Sequence, residues 1–173
     1  MNAIPPLGDL EAHVMAVFPN LRGAWVSRNA GYEAELCNAA CLDYAAGRYW
    51  DARFCGSLIE VKKGKSIWLD LVRLAEVALG TNEEARFCTT TLFFVPSKDR
   101  ERIVEVVAVP TQQIIATMNL SLEDWRYLTS LAARLPRQLN AQARLTLVDV
   151  RRLAVFRVGE SDAQGPLEWP AAE

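Results

Sequence analysis

Residues Ile103 to Val109 form an almost unbroken series of branched apolar side chains, interrupted only by Glu105. So short and so β-branched a run reads as a strand. Phe87 to Val95, rich in Thr and Phe, reads as a second strand, with Pro96 to Arg102 as the polar turn between them. Helical patterns lie on both sides of this pair. The first covers Gly8 to Phe18, with Leu10, Val14, Val17 and Phe18 on its apolar side and Pro19-Asn20 as its end. Asn29 is a good N-cap for a second helix to about Ala46, closed by Gly47. Ser66 caps a third, Ile67 to Leu79, closed by Gly80. Thr111 opens a short helical turn to about Met118, and Ser121 with Glu123 and Asp124 opens a helix to about Arg134. Tyr49 to Phe54 and Leu58 to Lys62 read as a hairpin around Cys55-Gly56-Ser57, and Arg144 to Val158 holds one or two further strands. The order predicts an α/β (α+β) sandwich, a mixed β-sheet flanked by helices. It occupies one domain over residues 1–158, followed by an acidic tail, 159–173, expected to be loosely ordered.

Size and composition fit this reading. The chain has 173 residues, of which 51% are hydrophobic and 23% charged, as in an ordinary globular domain. No apolar run approaches the ~20 residues of a membrane span, and Met1 to Pro6 lacks the basic and apolar regions of a secretory signal. The expected location is cytoplasmic or nuclear, with no membrane partner. Net charge is -2, far from the basic balance of an obvious nucleic-acid binder. The tail carries Glu160, Asp162, Glu168 and Glu173 with no base, so the rest of the chain is mildly positive. Of four lysines, three (Lys62, Lys63, Lys65) lie within four positions.

The four cysteines include no C-x-x-C pair, and His13 is the only histidine. Buried free thiols are expected rather than a zinc or iron–sulfur site. A single histidine argues against a His-based triad. Chemistry in this chain must come from carboxylates, lysine and metal.

Those groups converge between Tyr49 and Lys65. In a strand from Leu58 to Lys62, Glu60 and Lys62 share one face about 7 Å apart, while Ile59 and Val61 point to the apolar side. A hairpin partner brings Asp51 near Glu60. Two carboxylates and an ammonium at one sheet edge suit phosphodiester hydrolysis. The carboxylates can hold a magnesium ion, with manganese as a substitute. The lysine can orient a water or stabilise charge on the phosphate, and Lys63 and Lys65 can hold flanking phosphates. Asp51, an eight-residue gap, then Glu60-Val61-Lys62 resembles the PD-(D/E)xK nuclease superfamily, which includes type II restriction endonucleases, junction resolvases and repair nucleases. The resemblance covers about Asn29 to Val109. It implies a restriction-endonuclease-like fold, metal binding by Asp51 and Glu60, and a catalytic Lys62; Trp50 stands where the family has proline.

On the second helix Glu33 falls on the otherwise apolar stripe of Cys37, Ala40, Cys41 and Tyr44. It is either a further acid beside the metal, as many members of the superfamily have, or a helix N-terminal acid favoured by the macrodipole. Glu105 reads as a group supporting the site or as an edge residue facing solvent. Gln112 and Gln113 read as a helix start or as adenine readers, and Arg151 and Arg152 as a solvated strand end or phosphate contacts. The nearly all-apolar third helix, whose polar positions are Asp70, Arg73 and Glu76, belongs to the core or to a subunit interface. The expected function is a magnesium-dependent endonuclease acting on double-stranded DNA, as a homodimer because two strands need two sites. The alternatives are an inactive binding or structural subunit of the same fold, or a nuclease for RNA or branched DNA.

Overall fold

A computed structural model describes residues 7–23, 31–64, 66–81, 88–98, 102–135 and 139–159. The chain runs α1 (Leu7–Gly23), α2 (Tyr32–Ala39), β1 (Asp43–Tyr44), β2 (Ala52–Phe54), β3 (Ser57–Lys63), β4 (Ser66–Asp70), α3 (Leu71–Leu79), β5 (Cys88–Pro96) and β6 (Ile103–Pro110). It continues through α4 (Thr111–Thr117), α5 (Leu122–Arg134), β7 (Gln142–Thr146), α6 (Leu147–Arg152) and β8 (Phe156–Gly159). Six strands form one sheet in the order β1-β2-β3-β5-β6-β8, and β4 with β7 forms a separate two-stranded ribbon. The β3–β5 pair is parallel and the other pairs are antiparallel. The mixed sheet flanked by helices is therefore present.

The apolar runs explain the layering. Leu92 and Phe94 of β5 and Val106 and Ala108 of β6 join Ile59 and Val61 of β3 in a core with Leu10, Val14 and Leu21 of α1 and Leu36 of α2. The alternate residues Phe93, Val95, Val107 and Val109 form a second core with α3, α4, Trp125 of α5 and the inner face of the ribbon. Strands apolar on both faces need cover on both, and the helices supply it. No helix among the described residues is long and apolar enough to cross a membrane.

Several boundaries differ from the sequence reading. Pro19 lies inside α1 and does not end it. Full burial of Leu21 carries the helix onward, while the carbonyl of Met15, left without an i+4 donor, belongs to an exposed residue. The second helix stops at Ala39, well before Ala46, because Cys41 takes a left-handed φ of 52° and turns Leu42 into the core. Its proposed cap, Asn29, lies outside the described residues. Tyr49 and Trp50 form a turn ahead of β2, closed by Gly47 N–H donating to the Trp50 carbonyl at 2.8 Å. Ile67 to Asp70 is strand, not helix. Asp70 rather than Ser66 is the N-cap of α3, its Oδ1 accepting from Val72 N–H at 2.9 Å. The apolar face of α3 is used within this chain: Val72, Leu74, Ala75 and Val77 are buried. Pro110, not Thr111, is the N-cap of α4. The segment Arg144 to Val158 contains α6 between two strands, started by a Thr146–Asp149 capping box. Of the thiols, Cys37 is buried but Cys41 and Cys55 are exposed. Gly159 closes β8, and the tail beyond it lies outside the described residues, as do Trp25 and Trp169.

Glu105 is not at a solvent edge. It is 4% exposed, and its carboxylate accepts from Arg151 Nε at 3.1 Å and from Arg157 Nε at 2.6 Å. One buried acid thus joins β6, α6 and β8, and Arg151 is a structural partner rather than a solvated strand end. Removing the acid strands two guanidinium groups, which keep some access to water. Glu105→Ala is expected to lower stability by about 3 kcal/mol, the low end for breaking a buried pair. Urea unfolding followed by circular dichroism checks this.

Candidate active site

The hairpin of β2 and β3 sets the geometry. Cys55 and Gly56 both have positive φ, 46° and 88°, the requirement of a two-residue type I′ turn. That turn pairs Phe54 with Ser57 and Ala52 with Ile59. Asp51 N–H donates to the Ile59 carbonyl at 2.9 Å, so Asp51 arrives beside Glu60. β2 begins only at Ala52, and the Asp51 side chain takes over its ladder: Oδ2 accepts from Val61 N–H at 2.8 Å. The preceding turn is packed tightly. A Cβ on Gly47 would stand 2.4 Å from the Trp50 ring, so only glycine lets Trp50 lie there. Tyr49 donates to Glu76 of α3, which also accepts from Arg48 at 2.9 Å, tying the segment before Asp51 to the helix across the cleft.

Glu60 and Lys62 alternate with Ile59 and Val61, so they share the sheet face turned toward α3. The Lys62 ammonium is hydrogen-bonded to the Glu60 carboxylate. Burial pushes the Glu60 carboxyl up to about 7; Lys62 opposes this and the neighbouring Asp51 charge adds to it. Asp51 is also raised, chiefly by burial, against the pull of the Val61 N–H and of Lys62. Glu33 adds its charge to the same cluster. Tyr32 bonds to Glu33, and burial together with Glu33, Asp51 and Glu60 raises its phenol well above the usual range. Cys37 is pushed up to about 12, mainly by burial and then by Asp51 and Glu33.

The structure therefore brings Asp51, Glu60 and Lys62 together, and the charge of Glu33 reaches Asp51. It separates Lys63, which points to the opposite face with its ammonium 4.6 Å from the centroid of the Tyr32 ring. Its anticipated place beside a flanking phosphate is corrected by strand alternation. Lys65 lies outside the described residues. Gln112 and Gln113 occupy the exposed first turn of α4. A cleft of about 250 Å3 opens beside Glu60 and Lys62, which line it with Tyr49, Trp68, Arg73 and Gln142 among others. Sequence reasoning missed this cleft, together with Tyr32. The signal for Trp68 was its alternation with Ile67 and Leu69.

Two half-buried carboxylates side by side, both less acidic than usual, form a site short of positive charge. Their oxygen donors fit a hard divalent ion such as magnesium, which takes one or two protein carboxylates and keeps several waters. Among the described residues no group of three or more His, Cys, Asp or Glu is arranged around a common point to hold a metal, so the fit is that of a two-carboxylate site.

A carboxyl raised to about 7 when folded, against its ordinary value near 4.5, favours folding in its protonated form. Its contribution is complete below about pH 4.5 and is lost as pH rises through about 7. With chelator present, the protein is expected to lose stability across that window, and Glu60→Gln is expected to flatten the loss. Urea midpoints at pH 5 and pH 8 for both proteins test this.

The chain matches no family model, no curated protein sequence and no solved structure; the chemistry of the site is carried by its own residues.

Proposed function

We propose that this chain is a magnesium-dependent nuclease of restriction-endonuclease-like fold that hydrolyses phosphodiester bonds in DNA. One observation carries the reading: the hairpin register sets Asp51 beside Glu60, with the Lys62 ammonium on the Glu60 carboxylate. The mixed sheet with this hairpin near its middle and helices on both faces supports it.

In this reading Asp51 and Glu60 hold the divalent ion. The ion, when bound, polarises a phosphoryl oxygen and lowers the pKa of a coordinated water. Val61 N–H fixes the Asp51 carboxylate, leaving its second oxygen for the ion. Lys62, paired with the Glu60 carboxylate, would orient the attacking water or stabilise charge on the phosphate with an ion held there. Glu33 acts on Asp51 through its charge and is not one of the ligands in this two-carboxylate reading. Duplex DNA is the first substrate to examine. Cutting both strands calls for a second site, which a two-fold homodimer provides.

Incubation with supercoiled plasmid and with single-stranded DNA, with and without magnesium or manganese, tests the proposal. Metal-dependent cleavage is expected, reduced at least ~100-fold in Lys62→Ala. Failure of well-folded protein to cut either substrate, or cleavage indifferent to Lys62, would contradict it.

A further inference from the structure

Hydrolysis at Asp51, Glu60 and Lys62 needs charged and polar groups, yet the cleft that Glu60 and Lys62 line has an apolar wall of Leu69, Leu74, Val77 and Ile114. A sugar-phosphate backbone gains nothing from such a wall. The volume, about 250 Å3, far exceeds the ~30 Å3 of a water molecule. It falls just below the ~300 Å3 at which drug-sized pockets begin. That is the size class of one flat ring system.

Trp68 stands at the same cleft, 57% exposed. Of the described tryptophans, Trp50 and Trp125 are buried; Trp68 is the one left in water. The cause is the ribbon. Ile67 and Leu69 face the core, so Trp68 faces out, opposite Arg144, with Gln142 opposite Asp70. Gln142 and Arg73 share the cleft lining with it, and Thr91 and Thr111 bring hydroxyl groups to it. The arrangement offers a stacking surface, an apolar wall and a few polar groups.

We propose that this cleft receives one unpaired nucleobase of the substrate strand, next to the scissile phosphate, stacked on Trp68. The inference rests on the nuclease reading for the nature of the ligand and narrows it to DNA that is single-stranded or locally unpaired. A base in continuous duplex has to leave its stack before it can enter. Gln142 and Arg73, the latter paired with Asp70 at 3.6 Å, line the same cleft and are the polar groups available to the edge of the base.

Binding measured in chelator separates this inference from catalysis. A 20-nucleotide thymidine strand, an abasic strand of equal length and a mixed-sequence duplex are titrated by fluorescence polarisation against the full chain, Trp68→Ala and Trp68→Phe. The thymidine strand is expected to bind more tightly than the other two. Trp68→Ala should weaken it about tenfold, a loss in the range of one stacked base, and Trp68→Phe should recover most of the loss. Equal binding by full chain and Trp68→Ala, equal binding of abasic and thymidine strands, or no binding of the strand at all would overturn the subsite. Trp68-dependent binding in a protein that cuts nothing would leave the subsite standing and remove the nuclease reading. Cleavage with Trp68-independent binding would do the reverse.

Discussion

The arrangement of the candidate site depends on the register of one hairpin. The Cys55-Gly56 turn allows two residues at positive φ and no more, so Phe54 must face Ser57. A slip by one residue would send Glu60 and Lys62 to the α1/α2 core and bring Ile59 and Val61 out to the cleft. Both outcomes bury charge and expose apolar surface, so the two faces of β3 hold the register as firmly as the turn does. Asp51 then caps the strand through the Val61 N–H. Its position is a consequence of backbone pairing; as two charges Asp51 and Glu60 repel each other, and a hydrogen bond between their carboxyls relieves part of this.

That repulsion has to be offset elsewhere. Lys62 supplies positive charge on Glu60, and Val61 N–H stabilises Asp51. Tyr49 and Arg48, bound to Glu76, fasten the turn before Asp51 to α3. Farther along the sheet, Glu105 with Arg151 and Arg157 shows the contrasting solution, an acid with two guanidinium partners. Asp51 and Glu60 have one ammonium between them and remain raised in pKa. A group of charges left incomplete beside an open cleft is what a site for a cationic ligand requires.

Much of the site was legible because it is local. Period-two alternation placed Glu60 and Lys62 together, the turn residues placed Asp51 opposite, and the helical stripe carrying Glu33 and Cys37 indicated which side of α2 meets the cluster. Lys63 reads as a turn residue beside a phosphate when the strand is ended at Lys62; β3 runs on to Lys63, and alternation then turns it to the opposite face, over Tyr32. Elsewhere distant partners decided. Ser66-Ile67-Trp68-Leu69-Asp70 suits either a strand or the first turn of a helix, and it becomes a strand because Gln142 to Thr146 pairs with it. Nothing near residue 68 in sequence announces that partner, so the Ile67-Trp68-Leu69 alternation that exposes the tryptophan reads as helix in the sequence. Pro19 reads as a helix end, yet burial of Leu21 outweighs one missing backbone donor.

The central claim is that Asp51 and Glu60 form one divalent-ion site. Calorimetric titration of the full chain with manganese at pH 7 addresses it without reference to substrate. One ion per chain is expected, with proton release, because burial raises the Glu60 carboxyl to about 7 and it must ionise to bind. Asp51→Asn should abolish the heat. Absence of binding at ~10 mM metal, or binding unchanged by Asp51→Asn, would contradict the account.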